Sequence, residues 1–170
     1  MHPIATGFDT CPPSASNPPM AFPTAKELTD YLHAHIPLSR AMKAEVESCD
    51  VSSAVLHAPL APNINHRNTV FGGSASALAL LAGWTLLHAR LVAEDRHARL
   101  VIQEHSMHFR RPLESAFTAH CVLPGGDAWE RFLGGLDRKG SGRITLKVVL
   151  RSGDTDAAFF EGEYVALGDR

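Results

Sequence analysis

The stretch Ala58–Leu91, APLAPNINHRNTVFGGSASALALLAGWTLLHARL, decides the fold. Its first half carries Pro59 and Pro62, three asparagines (Asn63, Asn65 and Asn68), His66, and then Phe71-Gly72-Gly73. Proline, asparagine and glycine break regular structure, so this half reads as a loop. The second half, Ser74 to about Val92, is apolar on nearly every side. Leu78, Leu80, Leu81, Trp84, Leu86, Leu87 and Leu91 keep to no single stripe, and Ala75, Ala77, Ala79, Ala82 and Gly83 fill the spaces between. A helix without a polar face is a buried helix. Ser74 and Ser76 stand where a cap belongs. The run approaches the length of a membrane span, but serines, Thr85, His88 and Arg90 interrupt it and no second span follows. A central helix wrapped by a sheet is the expectation.

Working outward, Met1 to Pro23 is proline-rich with few large apolar residues, and is expected to be a flexible N-terminal arm over 1–23. Thr24 and Glu27 have capping-box spacing, and Leu28, Tyr31, Leu32 and His35 follow at helical intervals. A short helix over 25–35, stopped by Pro37, is expected. Met42 to His57 reads as one long strand whose apolar parity switches near Ser48, the mark of a bulge. Beyond the central helix, strands are expected over 100–110, 117–123, 143–151 and 159–167. Ile144, Leu146, Val148 and Leu150 alternate most clearly. Between the middle two, Asp127 and Glu130 make a second capping box ahead of Phe132, Leu133 and Leu136, so a short helix is expected there. Strands that follow strands imply an antiparallel sheet, and the whole is an α+β domain over 24–168.

Composition narrows the function. The chain has 170 residues and a net charge of −2, without the basic excess of a nucleic-acid footprint. Cys11, Cys49 and Cys121 are widely spaced, form no CxxC, and read as free thiols of a reducing cytoplasm. No secretory leader pattern opens the chain. No metal site is expected: His105 and His108 fall on opposite faces of a strand, and His33 and His35 diverge on a helix.

The motif Asn63-x-Asn65-His66 with Thr69-x-Phe71-Gly72-Gly73-Ser74 resembles the signature of hot-dog acyl-CoA thioesterases. It is most similar to the thioesterase-like domain found behind GNAT-type acetyltransferase domains in some bacterial proteins, here standing alone. Val101-Ile102-Gln103-Glu104, Phe109-Arg110-Arg111-Pro112 and Trp129-x-x-Phe132 fit the same pattern, and the resemblance runs from about Thr24 to Leu167. It implies a hot-dog fold, an antiparallel sheet around a buried helix, and activity as an acyl-CoA or acyl-carrier-protein hydrolase. It also implies a homodimer or homotetramer. No separate cofactor is implied, CoA or phosphopantetheine being part of the substrate, and neither nucleic acid nor membrane is a partner. The chain departs from the better-known pattern twice: Phe71 stands in place of a histidine, and Leu80 in place of the helix carboxylate. No Asp or Glu lies between Asp50 and Glu94.

Thioester hydrolysis needs a grip on the carbonyl oxygen, an activated water and room for the acyl chain. Amides at a helix start are unpaired and sit at the positive end of its dipole, so Gly72 and Gly73 are candidates for the grip. His66 or Glu104 is the candidate base, with Asn65 orienting water or carbonyl, or else making an Asx turn. Strict alternation would put Glu104 on the same side as Ile102, Ser106 and His108. Asn63, Phe71, Gly72, Ser74 and Arg110 are read as substrate contacts, with Arg110 and Arg111 placed for phosphates. Two other readings stay open: a carrier-linked acyltransferase or decarboxylase in fatty-acid initiation, and a module that binds acyl thioesters without turnover.

Overall fold

The computed structural model describes residues 21–168; most of the proline-rich arm and Cys11 lie outside that range. Ahead of Thr24, Phe22 packs against the core. Helix α1, Ala25–His35, has its capping box in place, with Thr24 Oγ1 accepting from the Glu27 amide and the Glu27 carboxylate accepting from the Thr24 amide. Pro37 ends α1 but also opens a second short helix, α2, over Pro37–Ala41, since proline at the first helical position forfeits no bond.

The long strand expected over 42–57 is two strands, β1 (Glu45–Cys49) and β2 (Ser53–Ala58). Asp50 makes the break. Its Oδ1 accepts from the Ser52 and Ser53 amides at 2.7 and 2.8 Å, closing a side-chain turn that folds the chain back on itself. The parity switch is real: the β1–β2 register slips between Val46 and Ser48.

A 3-10 turn, Ala61–Asn63, leads through the polar loop into α3, Gly72–Ala93. Strand β3 (Ala98–Phe109), β4 (Phe117–Val122), helix α4 (Ala128–Lys139), β5 (Ser141–Ser152) and β6 (Thr155–Gly168) complete the described chain. The described strands form one sheet in the order β1-β2-β4-β5-β6-β3, every pairing antiparallel. This is the expected hot-dog arrangement. By length and composition α3 would span a membrane, yet most of it is buried within the domain. Leu78, Leu86 and Leu87 are wholly buried on it. Each contributes roughly 1.5–3 kcal/mol of burial energy.

Two cap expectations fail. Ser74 is not the cap of α3; Phe71 holds that position, and no side chain caps it. Asp127 does stand at the α4 cap, but its carboxylate pairs with Arg131 instead of the helix amides. The α4 stop is Gly140 in the left-handed conformation, with φ of 69°.

The two sheet edges differ. At β1, α1 lies alongside: Thr29 Oγ1 accepts from the Val46 amide at 2.9 Å, and His33 Nε2 bonds the Ala44 carbonyl at 2.8 Å. At β3, no described strand pairs with the outer edge.

Candidate active site at the start of the central helix

The loop before α3 is built around Asn65. Its Oδ1 accepts from the amides of Arg67 (2.8 Å) and Thr69 (3.3 Å), and its Nδ2 donates to Thr69 Oγ1 (2.9 Å) and the Val70 carbonyl (3.3 Å). With both ends of the amide engaged, Asn65 organises the turn, as an Asx turn would. Asn68 completes it at φ 61°, a left-handed position that asparagine tolerates well. Asn63 lies beneath, 1% exposed, its Nδ2 donating to the carbonyls of Met42 and Pro59, so it anchors the loop to the body and faces no cleft through that nitrogen. His66 is exposed at the tip and has no hydrogen bond among the described residues.

The loop delivers the chain to α3 with its first amides free. Phe71 offers no acceptor, so the Gly72, Gly73 and Ser74 N–H groups lack a side-chain cap, and the first helical bond runs from the Ala75 amide to the Phe71 carbonyl. The glycines have distinct spatial reasons. A Cβ on Gly73 would lie 2.3 Å from the Phe71 ring, and one on Gly72 would lie 3.4 Å from the ring of Phe109. The segment that follows β3 is held here too, since the Val70 amide donates to the Leu113 carbonyl at 2.8 Å. Together these segments enclose an open cleft of about 420 Å³, lined by Thr69, Gly72, Phe109, Arg110, Arg111 and Pro112 among others. Neither arginine pairs with a carboxylate among the described residues; Arg110 lies 5.4 Å over the Phe159 ring. Phe71 and Phe109 are both more than half exposed.

Glu104 does not join this cleft within the chain. The β3–β6 register slips between Ile102 and Glu104, leaving Gln103 as an extra residue. Ile102 is opposite Tyr164, whose hydroxyl reaches α3 and donates to the Leu80 carbonyl. Glu104 is opposite Glu163, which pairs with Arg143 on the outer face. Directly opposed residues share a face, so the bulge turns Glu104 away from the helix, and the strict alternation expected for this strand is corrected. Phe109 was named in the sequence only as part of the Phe109-Arg110-Arg111-Pro112 pattern, with no role at the site; an aromatic ending a strand just before Arg-Arg-Pro is the signal that was available.

Fold and site together define a hot-dog domain of the thioesterase type. A helix start with free amides opens on a cleft, and no carboxylate is among the residues that line it. The chain belongs to the YiiD_C family, described as "Putative thioesterase (yiiD_Cterm)", whose model matches residues 25–168. Solved structures of similar proteins agree. One is a protein of unknown function from Chlorobaculum tepidum, at 29% identity and TM-score 0.80, covering 85% of this chain and 94% of that one. Another is a "putative thioesterase" from Shewanella oneidensis, at 26% identity and TM-score 0.76, covering 84% and 96%. A "probable thioesterase" from Pseudomonas aeruginosa, at 20% identity, TM-score 0.73 and coverage of 87% and 99%, shares the fold.

Proposed function

We propose that this protein acts on acyl thioesters of CoA or of a carrier protein, in the cytoplasm and as a two-fold dimer, by hydrolysis. The observation that carries the reading is the uncapped α3 start, whose first residue Gly72 lines the cleft beside Phe109, Arg110 and Arg111. The Gly72, Gly73 and Ser74 amides are the donors for the thioester carbonyl oxygen, and they strengthen as negative charge develops on it. His66 is the base that activates water, and Asn65 keeps its loop in shape. Arg110 and Arg111 take the phosphate of the pantetheine arm. Phe71 and Phe109 flank the reacting carbon and give the acyl group apolar surface.

The dimer follows from the free edge of β3, which leaves a row of backbone donors and acceptors for a second copy. A two-fold axis there brings two α3 helices together.

One observation favours a second reading. No carboxylate lines the cleft, and none occurs from residue 51 to 93. Decarboxylation of a 2-carboxyacyl thioester, such as a malonyl thioester, needs no general base. Its C–C bond breaks, CO₂ leaves, and the electron pair moves to the thioester oxygen as an enolate that the same amides would hold; protonation at carbon completes it. A single assay separates the readings. Purified protein is given acyl-CoA and acyl-carrier panels that include malonyl thioesters, and thiol and CO₂ are followed together. Thiol release supports hydrolysis. CO₂ without thiol supports decarboxylation, and saturable binding with neither product supports a binding module.

A further inference from the structure

Beyond Arg111 and Pro112, a second cleft of about 420 Å³ lies against the turn that joins β5 to β6. It is lined by Arg111, Pro112, Glu114, Ser152, Thr155 and Ala157. Arg111 and Pro112 also line the cleft at Gly72, so the two clefts adjoin within one chain. Arg111 is fixed at the junction. Its amide and that of Arg110 both donate to the Ala157 carbonyl, at 3.1 and 2.9 Å, and Pro112 stiffens the backbone that follows. Ala158 is opposite Phe109, whose ring lies against Gly72, and Thr155 is three residues further along β6, roughly 10 Å at the strand rise. The second cleft therefore stands where the far end of an extended pantetheine arm would arrive.

The lining carries both signs of charge. Arg111 supplies the cation and Glu114 the carboxylate, and among the described residues neither is in an ion pair. Asp156, at the same turn, is engaged by Arg151, whose Nε donates to it at 2.6 Å. Ser115 Oγ donates its proton to the Ala116 carbonyl at 3.2 Å, so Ser152 is the donor in the 2.7 Å bond between the two serine hydroxyls and keeps its lone pairs for a ligand. Thr155 is exposed. A bare phosphate suits Arg111 but is repelled by Glu114. A nucleoside phosphate suits both, because it has an anionic end, ribose hydroxyls and an amino-bearing base.

Resting on the acyl-thioester reading above, we infer that the cleft of Arg111, Glu114, Ser152 and Thr155 holds the adenine nucleotide end of CoA. The protein then takes CoA thioesters in preference to carrier-protein thioesters, whose phosphopantetheine ends on a serine and carries no nucleotide. Arg111, at the junction, meets the pyrophosphate through its fork of donors. Glu114 accepts from the adenine amino group, and Ser152 and Thr155 meet the ribose hydroxyls. The volume is of the size that ligand sites have.

The test is calorimetric binding to the full chain of two non-hydrolysable thioethers that share an S-hexyl group, one on CoA and the other on phosphopantetheine. Wild type is expected to bind hexyl-CoA about tenfold or more tightly than hexyl-phosphopantetheine. Thr155→Trp fills the second cleft from its exposed rim, and Glu114→Ala removes the acceptor for the base. Each should bring hexyl-CoA close to the phosphopantetheine level, and Glu114→Gln, which keeps an acceptor oxygen, should retain most of the preference. Binding of hexyl-phosphopantetheine should be unchanged in all three variants, which reports an intact fold and first cleft. Equal binding of the two thioethers by wild type, or a preference that persists in both Thr155→Trp and Glu114→Ala, overturns the inference and leaves the acyl-thioester reading standing with a carrier protein as the source. Equal loss of both thioethers in those two variants also overturns it, because the residues then serve no separate nucleotide site. If wild type binds neither thioether, the acyl-thioester reading falls as well.

Discussion

Gly73 and Gly83 meet similar crowding with opposite consequences. A Cβ at Gly83 would lie 2.4 Å from the Tyr164 hydroxyl, which is buried and bonded to the Leu80 carbonyl. Alanine gains about 1 kcal/mol of helix propensity there, but overpacking costs about 1–3 kcal/mol and the Tyr164 bond is lost as well. Gly83→Ala should therefore lower the melting temperature by several degrees. At Gly73 the crowding ring is the exposed Phe71, which can swing away, so Gly73→Ala should melt no lower than wild type. Its methyl group stands over the proposed carbonyl site, so kcat/KM should fall about tenfold or more on the best thioester. Calorimetric melting and thiol-release kinetics on the two variants check both statements. Glu104 and His66 make a similar contrast. With Glu104 on the outer face, Glu104→Gln should keep kcat within about twofold, whereas loss of His66 as base should cost on the order of 10²–10⁴. If His66→Ala keeps wild-type kcat, the base has been misassigned.

The loop and the two helices beside it respond as elements. Asn65→Ala removes the hydrogen bonds that close the turn, a loss of about 1–2 kcal/mol spread over the loop, and the fold remains. Its main effect should be a raised KM, because the loop that delivers the α3 start is loosened while the amides themselves survive. The α1–α3 contact should be sensitive to pH. Burial, and secondarily the neighbouring His35, hold the His88 imidazole below its ordinary value of 6.5. A histidine with a lowered folded-state pKa binds fewer protons when folded, so its contribution to stability is complete above about pH 6.5 and is lost as pH falls from there through the folded value. Tyr31 and Trp84 pack against its ring, and His35 packs on Tyr31. Denaturant titrations at pH 7.5 and pH 5.0 should show a loss of stability in wild type that is smaller in His88→Phe. Equal losses in the two proteins would remove His88 from the account.

At the scale of the whole molecule, the β3 edge that no described strand pairs bears on the proposed dimer. A row of unsatisfied strand groups beside the exposed Val101 and Phe109 is an aggregation hazard unless it is paired. Multi-angle light scattering at micromolar concentration should give twice the 18.4 kDa chain mass, or four times if dimers pair further. A monodisperse monomer would count against the dimer. The other edge needs no partner copy, since α1 already bonds to β1 and to the Ala44 carbonyl just before it.

Local patterns were enough for much of this architecture. An apolar run with no polar face can only be a core helix, and strict alternation over Ile144–Leu150 can only place one face of a strand inward. Capping residues set the start of α1 for the same local reason, and the Asn-rich loop ending in Gly72-Gly73 was legible as the lead into the central helix. The sequence could not show which way Glu104 faces, because a single extra residue at Gln103 reverses every side chain after it and alternation counts no bulges. Nor could it show that Asn65 is consumed by its own turn, or that Phe71 and not Ser74 stands at the cap; those outcomes depend on where neighbouring donors and acceptors come to rest. Tyr31, Trp84 and His88 read in the sequence as ordinary helix positions. Only the packing of α1 against α3 sets their rings parallel, because that contact joins residues more than fifty positions apart.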